Sequence, residues 1–339
     1  MSQKNSISRD SSIDILKGIS ILSIMLLHFE QGLFPGRLNS WLGNFMITAF
    51  YFTSGWVQSY KPDFSFKELA KKRWLTLGIP YIYYSGLLIV VSIVFWGMGH
   101  YDSRIVLRDI YKTITFRGIG TLWFLPALFG GELLAWKFRH TGLCKRTFLI
   151  FTTLIVISIY SYWNRKYAHL DDMWRVLDSP FRVLRDTMGA WYVIVIGYYL
   201  GKSYQFELAE MSLVKKIFLA FVVLILYTLI IFEYLGISVY LVSTIGAFGM
   251  FLFSQCIKGL VAFKWLEWLG RNSLIIMATH YSIIQEICVY INRRYLTGSE
   301  QLEGWSSLAF FIISLLIEVL LIVCISKIKK YRIRSVCIR

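Results

Sequence analysis

Long uninterrupted apolar runs, each closed by a short polar or basic segment, dominate the pattern along the chain. A bilayer core takes about 20 mostly apolar residues per helix. Ten segments approach that length: roughly 14–33, 41–60, 77–98, 121–138, 147–163, 187–201, 214–234, 238–256, 272–291 and 307–327. The fourth, fifth and sixth are short or interrupted by polar residues, so their edges are the least defined. The pattern predicts an all-α polytopic membrane protein, a bundle of about ten transmembrane helices. Residues 1–13 read as an N-terminal segment, 14–327 as a membrane domain and 328–339 as a basic tail. The first run carries Lys17 and His28 and ends in no small-residue cleavage site, so it reads as a retained helix. No internal repeat, low-complexity tract or interdomain linker is visible.

Composition narrows the class further. Of 339 residues, 56% are hydrophobic and only 17% charged, against about 25% charged in soluble domains. A soluble enzyme, a disordered chain and a secreted disulfide scaffold are excluded. The net charge of +16 would suit nucleic acid on a soluble protein. Here Lys and Arg sit between apolar runs, where they report topology, and no nucleic-acid partner is expected. With the N-terminus inside, the inner segments hold 23 of them and the outer segments 12, with Lys17 inside the first helix. Both termini are therefore expected in the cytoplasm. The outer loops 99–120 and 164–186 also carry Asp102, Asp109, Asp171, Asp172, Asp178 and Asp186. Such mixed-charge loops suit a polar ligand, although plain solvation explains them too. Cys144, Cys256, Cys288, Cys324 and Cys337 form no CxxC pair, so neither a disulfide framework nor a metal site is expected.

Ionisable groups inside a bilayer are costly and point to function. The first helix has Asp14, Lys17 and His28. Eleven residues from Lys17 to His28 turn through about 1100°, three turns plus about 20°, over roughly 16 Å of axis. Asp14 lies on the same stripe. A basic group near the cytoplasmic end could hold phosphates of an anionic cofactor. A histidine deeper in could take a proton from a hydroxyl. Asp14 could pair with Lys17 or another basic group. The plainer alternative is that Asp14 and Lys17 snorkel to the interface and His28 bonds a neighbouring helix.

These residues resemble a known pattern. Asp14-Ile-Leu-Lys17-Gly18, ten intervening residues and His28 are similar to the basic-x10-His signature of the acyltransferase-3 family of membrane O-acyltransferases. Four further segments follow in the family's order. They are Phe50-Tyr51-Phe52-Thr53-Ser54-Gly55-Trp56, Lys71-Lys72-Arg73-Trp74-Leu75 with Pro80, Leu122-Trp123-Phe124-Leu125, and Leu269-Gly270-Arg271-Asn272-Ser273-Leu274 with His280. The resemblance spans about residues 13–285. It implies a ten-helix core, acetyl-CoA as cytoplasmic acyl donor, and O-acylation of a glycan. It also implies that Lys17 and His28 are the essential pair, with Arg73 on the donor side. The family usually has Arg where this chain has Lys17, which keeps the charge but loses the bidentate fork.

The expected site follows. His28, Lys17 and Asp14 form the catalytic stripe, and Lys17, Arg73 and Lys72 contact acetyl-CoA. Ser54, Trp123, Glu132 and His280 line the substrate pocket. Each has a plainer structural reading. Ser54 suits helix packing, Trp123 suits pocket lining, and His280 suits a hydrogen bond in the core. Glu132 orients His28 or pairs with a basic group. Ser54, Trp123 and Asn272 are candidate oxyanion donors, Glu286 and Glu318 weaker site candidates. His100, His140 and His169 are expected to be solvated. The expected function is O-acetyl transfer to a bacterial surface polysaccharide or its lipid-linked precursor, at the bacterial cytoplasmic membrane among membrane lipids. His28 acts either as general base or as an acetyl relay. The alternative is a multi-pass transporter or flippase of a glycolipid or polyanion, with a glycan polymerase third. The oligomeric state is not readable.

Overall fold

The computed structural model describes residues 10–29, 34–167, 178–233, 239–296 and 304–337, without the side chains of Arg165 and of residues beyond 327. Among the described residues the secondary structure is helical and strands are absent. The helices are α1 (Ser11–Phe29), α2 (Gly36–Met46), α3 (Thr48–Ser59), α4 (Phe66–Arg73), α5 (Ile79–Gly97), α6 (Ser103–Ile114), α7 (Phe124–Arg139) and α8 (Leu143–Tyr167). They continue with α9 (Ser179–Glu210), α10 (Leu213–Phe232), α11 (Val239–Ile257), α12 (Lys264–Arg271), α13 (Ser273–Thr279), α14 (Glu286–Ile291) and α15 (Gly304–Cys337).

Among the described residues the ten apolar segments are largely helical, and seven stretches are long and apolar enough to cross a membrane. The other three fall short for distinct reasons. The second is cut at Ile47 into α2 and α3. The fourth, α7, has only 16 residues. The sixth lies inside the 32-residue α9, which carries Arg182, Arg185 and Asp186 in its first third. Large apolar side chains such as Ile82, Val90 and Val94 of α5 stand exposed, a surface that suits lipid and not water.

The chain forms two compact units. The first comprises Met1–Leu27, Pro35–Phe50 and Gln205–Leu274. Its α1 and α12 cross with glycine on both sides. A Cβ on Gly270 would overlap the Asp14 carbonyl oxygen, and one on Gly18 the Leu266 carbonyl oxygen. Ile15, Ile257 and Leu266 fill the core beside this crossing. Asp10 anchors the start of α1, accepting from the Ser12 backbone N–H (3.1 Å) and from Gln255 Nε2 (3.0 Å). Gly270→Ala is expected to lower stability by about 3 kcal/mol, because overpacking here displaces backbone and not a flexible side chain. Thermal unfolding of the detergent-purified variant measures this, and a wild-type melting temperature would refute it.

The second unit comprises His28–Phe34, Tyr51–Tyr204 and Ile275–Arg339. Here α3 lies close against α9, with Gly55 facing the Ile194 carbonyl and Gly197 the Phe52 carbonyl. Small residues let helix backbones approach this closely in lipid. The helix α4 opens on a capping box in which Glu68 N–H donates to Ser65 Oγ and Ser65 N–H to Glu68 Oε2. It passes into α5 through a π-helical turn at Trp74–Gly78. Pro80 follows, with no N–H to donate and a ring that crowds the carbonyl four residues back, and a widened turn accommodates it. A second π-helical turn, His280–Gln285, joins α13 to α14.

Candidate active site

His28 occupies the last turn of α1 and is half-buried. Its ring lies 5.3 Å from the His280 ring and 4.5 Å from the Tyr281 ring, centroid to centroid. Gln285 Nε2 donates to the His28 backbone carbonyl at 2.6 Å, which ties the end of α1 to the π-helical turn. His280 opens that turn and is fully buried. Its Nδ1 donates to the Ile276 carbonyl at 2.6 Å. The preceding residue, Thr279, bonds Glu318 of α15 through its hydroxyl (2.7 Å). A tight loop presses on the same turn. Gly118 and Gly120 have φ of +72° and +53°, and a Cβ on Gly120 would overlap Ser282 Oγ. Glycine is what permits both the conformation and the approach. The 3₁₀ turn Gly120–Trp123 follows, and the Thr121 hydroxyl donates to the Met277 carbonyl. Trp123 is thereby held in the turn that abuts Tyr281 and Ser282.

A second polar cluster joins α3, α4 and α7. Glu132 is buried and forms an ion pair with Arg73. Ser54 Oγ donates to the other Glu132 carboxylate oxygen at 2.5 Å. Gln58 Nε2 donates to Ser54 Oγ (3.3 Å), and Arg139 to Gln58 Oε1 (3.1 Å). Glu132 pairs with a basic group, and Ser54 is committed to that carboxylate. Arg73 and Arg139 lie on a cleft also lined by Lys61, Lys72 and Trp136. Four cations and one carboxylate, Asp63, line the cleft, and the excess of positive charge suits an anion.

In the first unit Asp14 is buried and pairs with Arg271 Nε at 3.2 Å. Arg271 also pairs with Glu267 one turn back. The glycine crossing of α1 and α12 brings these groups together. Lys17 lies on α1, which runs unbroken from Ser11 to Phe29, so the eleven-residue spacing to His28 falls on one continuous helix. Asn272 Nδ2 donates to the Trp268 carbonyl (2.8 Å).

Residues 10–327 match the family model described as an acyltransferase domain, that of the acyltransferase-3 family. This chain belongs to that family. No match was found among curated proteins or among solved structures. The protein is accordingly a multi-pass membrane acyltransferase.

Other parts of this acyltransferase depart from sequence expectation. His100 was expected in solvent, but its side chain is 6% exposed, stacked on Tyr101 and 3.7 Å from Glu286. His140, by contrast, is exposed as the sequence suggested, stacked on Trp136 with Nε2 2.8 Å from Asp63 Oδ2. His169, Asp171 and Asp172 lie outside the described residues. The remaining charges of segments 99–120 and 178–186 are partly packed. Burial, reinforced by Arg108, holds the Lys112 ammonium down to about 8. Burial and the nearby Arg182 lower Arg117 as well. Among the described residues no group of three or more His, Cys, Asp or Glu side chains could hold a metal. The Arg271–Asp14 pair and the loop at Gly118 and Gly120 were not singled out from sequence. The one signal for the loop was the Gly-Ile-Gly spacing just before Trp123.

Proposed function

We propose that this acyltransferase moves an acetyl group from cytoplasmic acetyl-CoA to a hydroxyl of a bacterial surface polysaccharide or its lipid-linked precursor. The observation that carries the reading is the half-buried His28 ring, set against His280 and Tyr281 at the end of a membrane helix. His28 removes the proton of the acceptor hydroxyl. The oxygen attacks the thioester carbonyl, the C–O bond forms and the C–S bond breaks. The proton passes from His28 to the departing sulfur, which leaves as CoA thiol. In the variant form His28 carries the acetyl group first and hands it to the hydroxyl. Arg73 and Lys72, on the basic cleft, contact the donor's phosphates. Lys17 is assigned as a further donor-side cation, and Asp14, held by Arg271, as its neighbour on the same helix stripe. Trp123 and His280 line the acceptor side, while Glu132 and Ser54 hold Arg73 in place. The excess of Lys and Arg on alternate segments supports a chain with both termini in the cytoplasm, in the bacterial inner membrane.

Purified protein given labelled acetyl-CoA and a surface-glycan extract is expected to yield labelled glycan. Mass spectrometry of glycan from cells with and without the protein should differ by one acetyl group. A transporter would produce neither signal, so their joint absence would overturn the reading.

A further inference from the structure

His280 is fully buried and uses only half of its hydrogen-bonding capacity. Nδ1 lies 2.6 Å from the Ile276 carbonyl oxygen. A carbonyl only accepts, so this bond fixes the proton on Nδ1 and leaves Nε2 with a lone pair. That Nε2 is buried and has no hydrogen-bond partner among the described residues. A buried acceptor left unpaired is unfavourable, and native proteins rarely keep one without a use.

The neighbour that suits it is His28, with ring centroids 5.3 Å apart and planes tilted by 46°. Two imidazoles sharing one N–H···N bond of about 3 Å have centroids roughly 5 Å apart. We infer that His280 is the positioning residue of His28: a small turn of the rings from this arrangement lets the unpaired Nε2 accept the N–H of one His28 ring nitrogen, which leaves the other His28 nitrogen unprotonated toward the acceptor hydroxyl. The inference rests on His28 acting as proposed above.

The chemistry then balances without a carboxylate. His28 takes the hydroxyl proton and becomes an imidazolium, and its second N–H stays bonded to His280 Nε2. The bond becomes charge-assisted as the positive charge develops. When the C–S bond breaks, His28 returns the proton to sulfur and the pair resets. A neutral partner keeps the net charge of the pair at zero before the reaction, which suits a low-dielectric site better than a buried anion. The surroundings hold the His280 ring firmly. Nδ1 is tied to Ile276, Thr279 to Glu318, and Gly120 leaves no space beside Ser282. The π-helical turn that begins at His280 is a device found often at functional positions.

Two variants of the full chain separate positioning from packing, read with labelled acetyl-CoA and surface-glycan extract. His280→Phe keeps the ring and removes the acceptor. His280→Gln offers an amide oxygen in its place. The Phe variant is expected to lose about 10- to 100-fold in kcat with KM for acetyl-CoA unchanged. The Gln variant is expected to recover most of that loss. Wild-type turnover in the Phe variant would overturn the inference, as would equal losses in two variants with matched folded yield. If the Phe variant does not fold, nitrogen NMR of labelled histidine in the wild-type protein decides. A hydrogen-bonded His280 Nε2 supports the inference and an unbonded one refutes it. An active His28→Ala would remove the underlying reading, whereas an inactive His28→Ala beside an active His280→Phe would remove this inference alone.

Discussion

His28→Ala is expected to lose acyl transfer by at least about 100-fold while remaining folded, the lower end of what a positioned general base contributes. The fold should survive because little of it depends on the imidazole. The end of α1 is held through the His28 backbone carbonyl by Gln285 and through buried Phe29, which packs with Ile284, Cys288 and Phe310. The side chain itself is half-buried and lies beside the His280 and Tyr281 rings, so its loss removes ring contacts and leaves the helix end anchored. Loss of transfer with an unchanged gel-filtration profile and melting curve would mark a chemical role. The measurement is acetyl content of surface glycan from cells with matched expression. Near-normal acetylation would remove His28 from the mechanism. Trapping labelled acetyl on the wild-type protein, absent from the variant, would favour the relay over direct attack.

The second large effect is on stability. Arg73→Met is expected to lower it by about 3–5 kcal/mol, the usual consequence of stranding one member of a buried ion pair. The two partners are unequally placed: the Glu132 side chain is 1% exposed and that of Arg73 23%. Removing Arg73 leaves a buried carboxylate without its ion-pair partner, although Ser54 still donates to it at 2.5 Å. Removing Glu132 leaves an arginine on the edge of a cleft, where water reaches it. Glu132→Leu should therefore be milder, about 1–2 kcal/mol. The double variant should return to within about 1 kcal/mol of wild type, since apolar replacement of a buried pair is often near neutral. Denaturant or thermal unfolding in detergent supplies all three values. Equal single losses that simply add would contradict the assignment. The double variant also isolates function, because a stable protein lacking Arg73 should still fail to use acetyl-CoA.

The helices were legible because lipid imposes a single rule, about 20 apolar residues per crossing. Their number was less so. The break at Ile47 carries no proline or glycine signal, and α7 and α9 depart from the rule by length and by charge. The chemistry divides the same way. His28 and Lys17 could be related because one helix repeat connects them. Ser54 and Glu132 are 78 residues apart, and Gln285 and His28 are 257 apart. No local period links such pairs, so only packing brings them together. His100 failed as an expectation for a related reason. A histidine after the turn-forming Gly97-Met98-Gly99 at the end of an apolar run looks solvated, yet Phe95, Tyr101 and Tyr290 surround it.

The π-helical turn at Trp74–Gly78 has a consequence for how this chain tolerates length changes. An inserted or deleted residue in an α-helix rotates everything beyond it by about 100°. The turn begins immediately after Arg73, so it acts as a phase adjuster between the basic end of α4 and the lipid-facing surface of α5. A one-residue deletion inside it would leave every side chain of both helices present. It would nevertheless turn Arg73 away from Glu132 while α5 kept its seat, a defect that no inventory of residues would reveal.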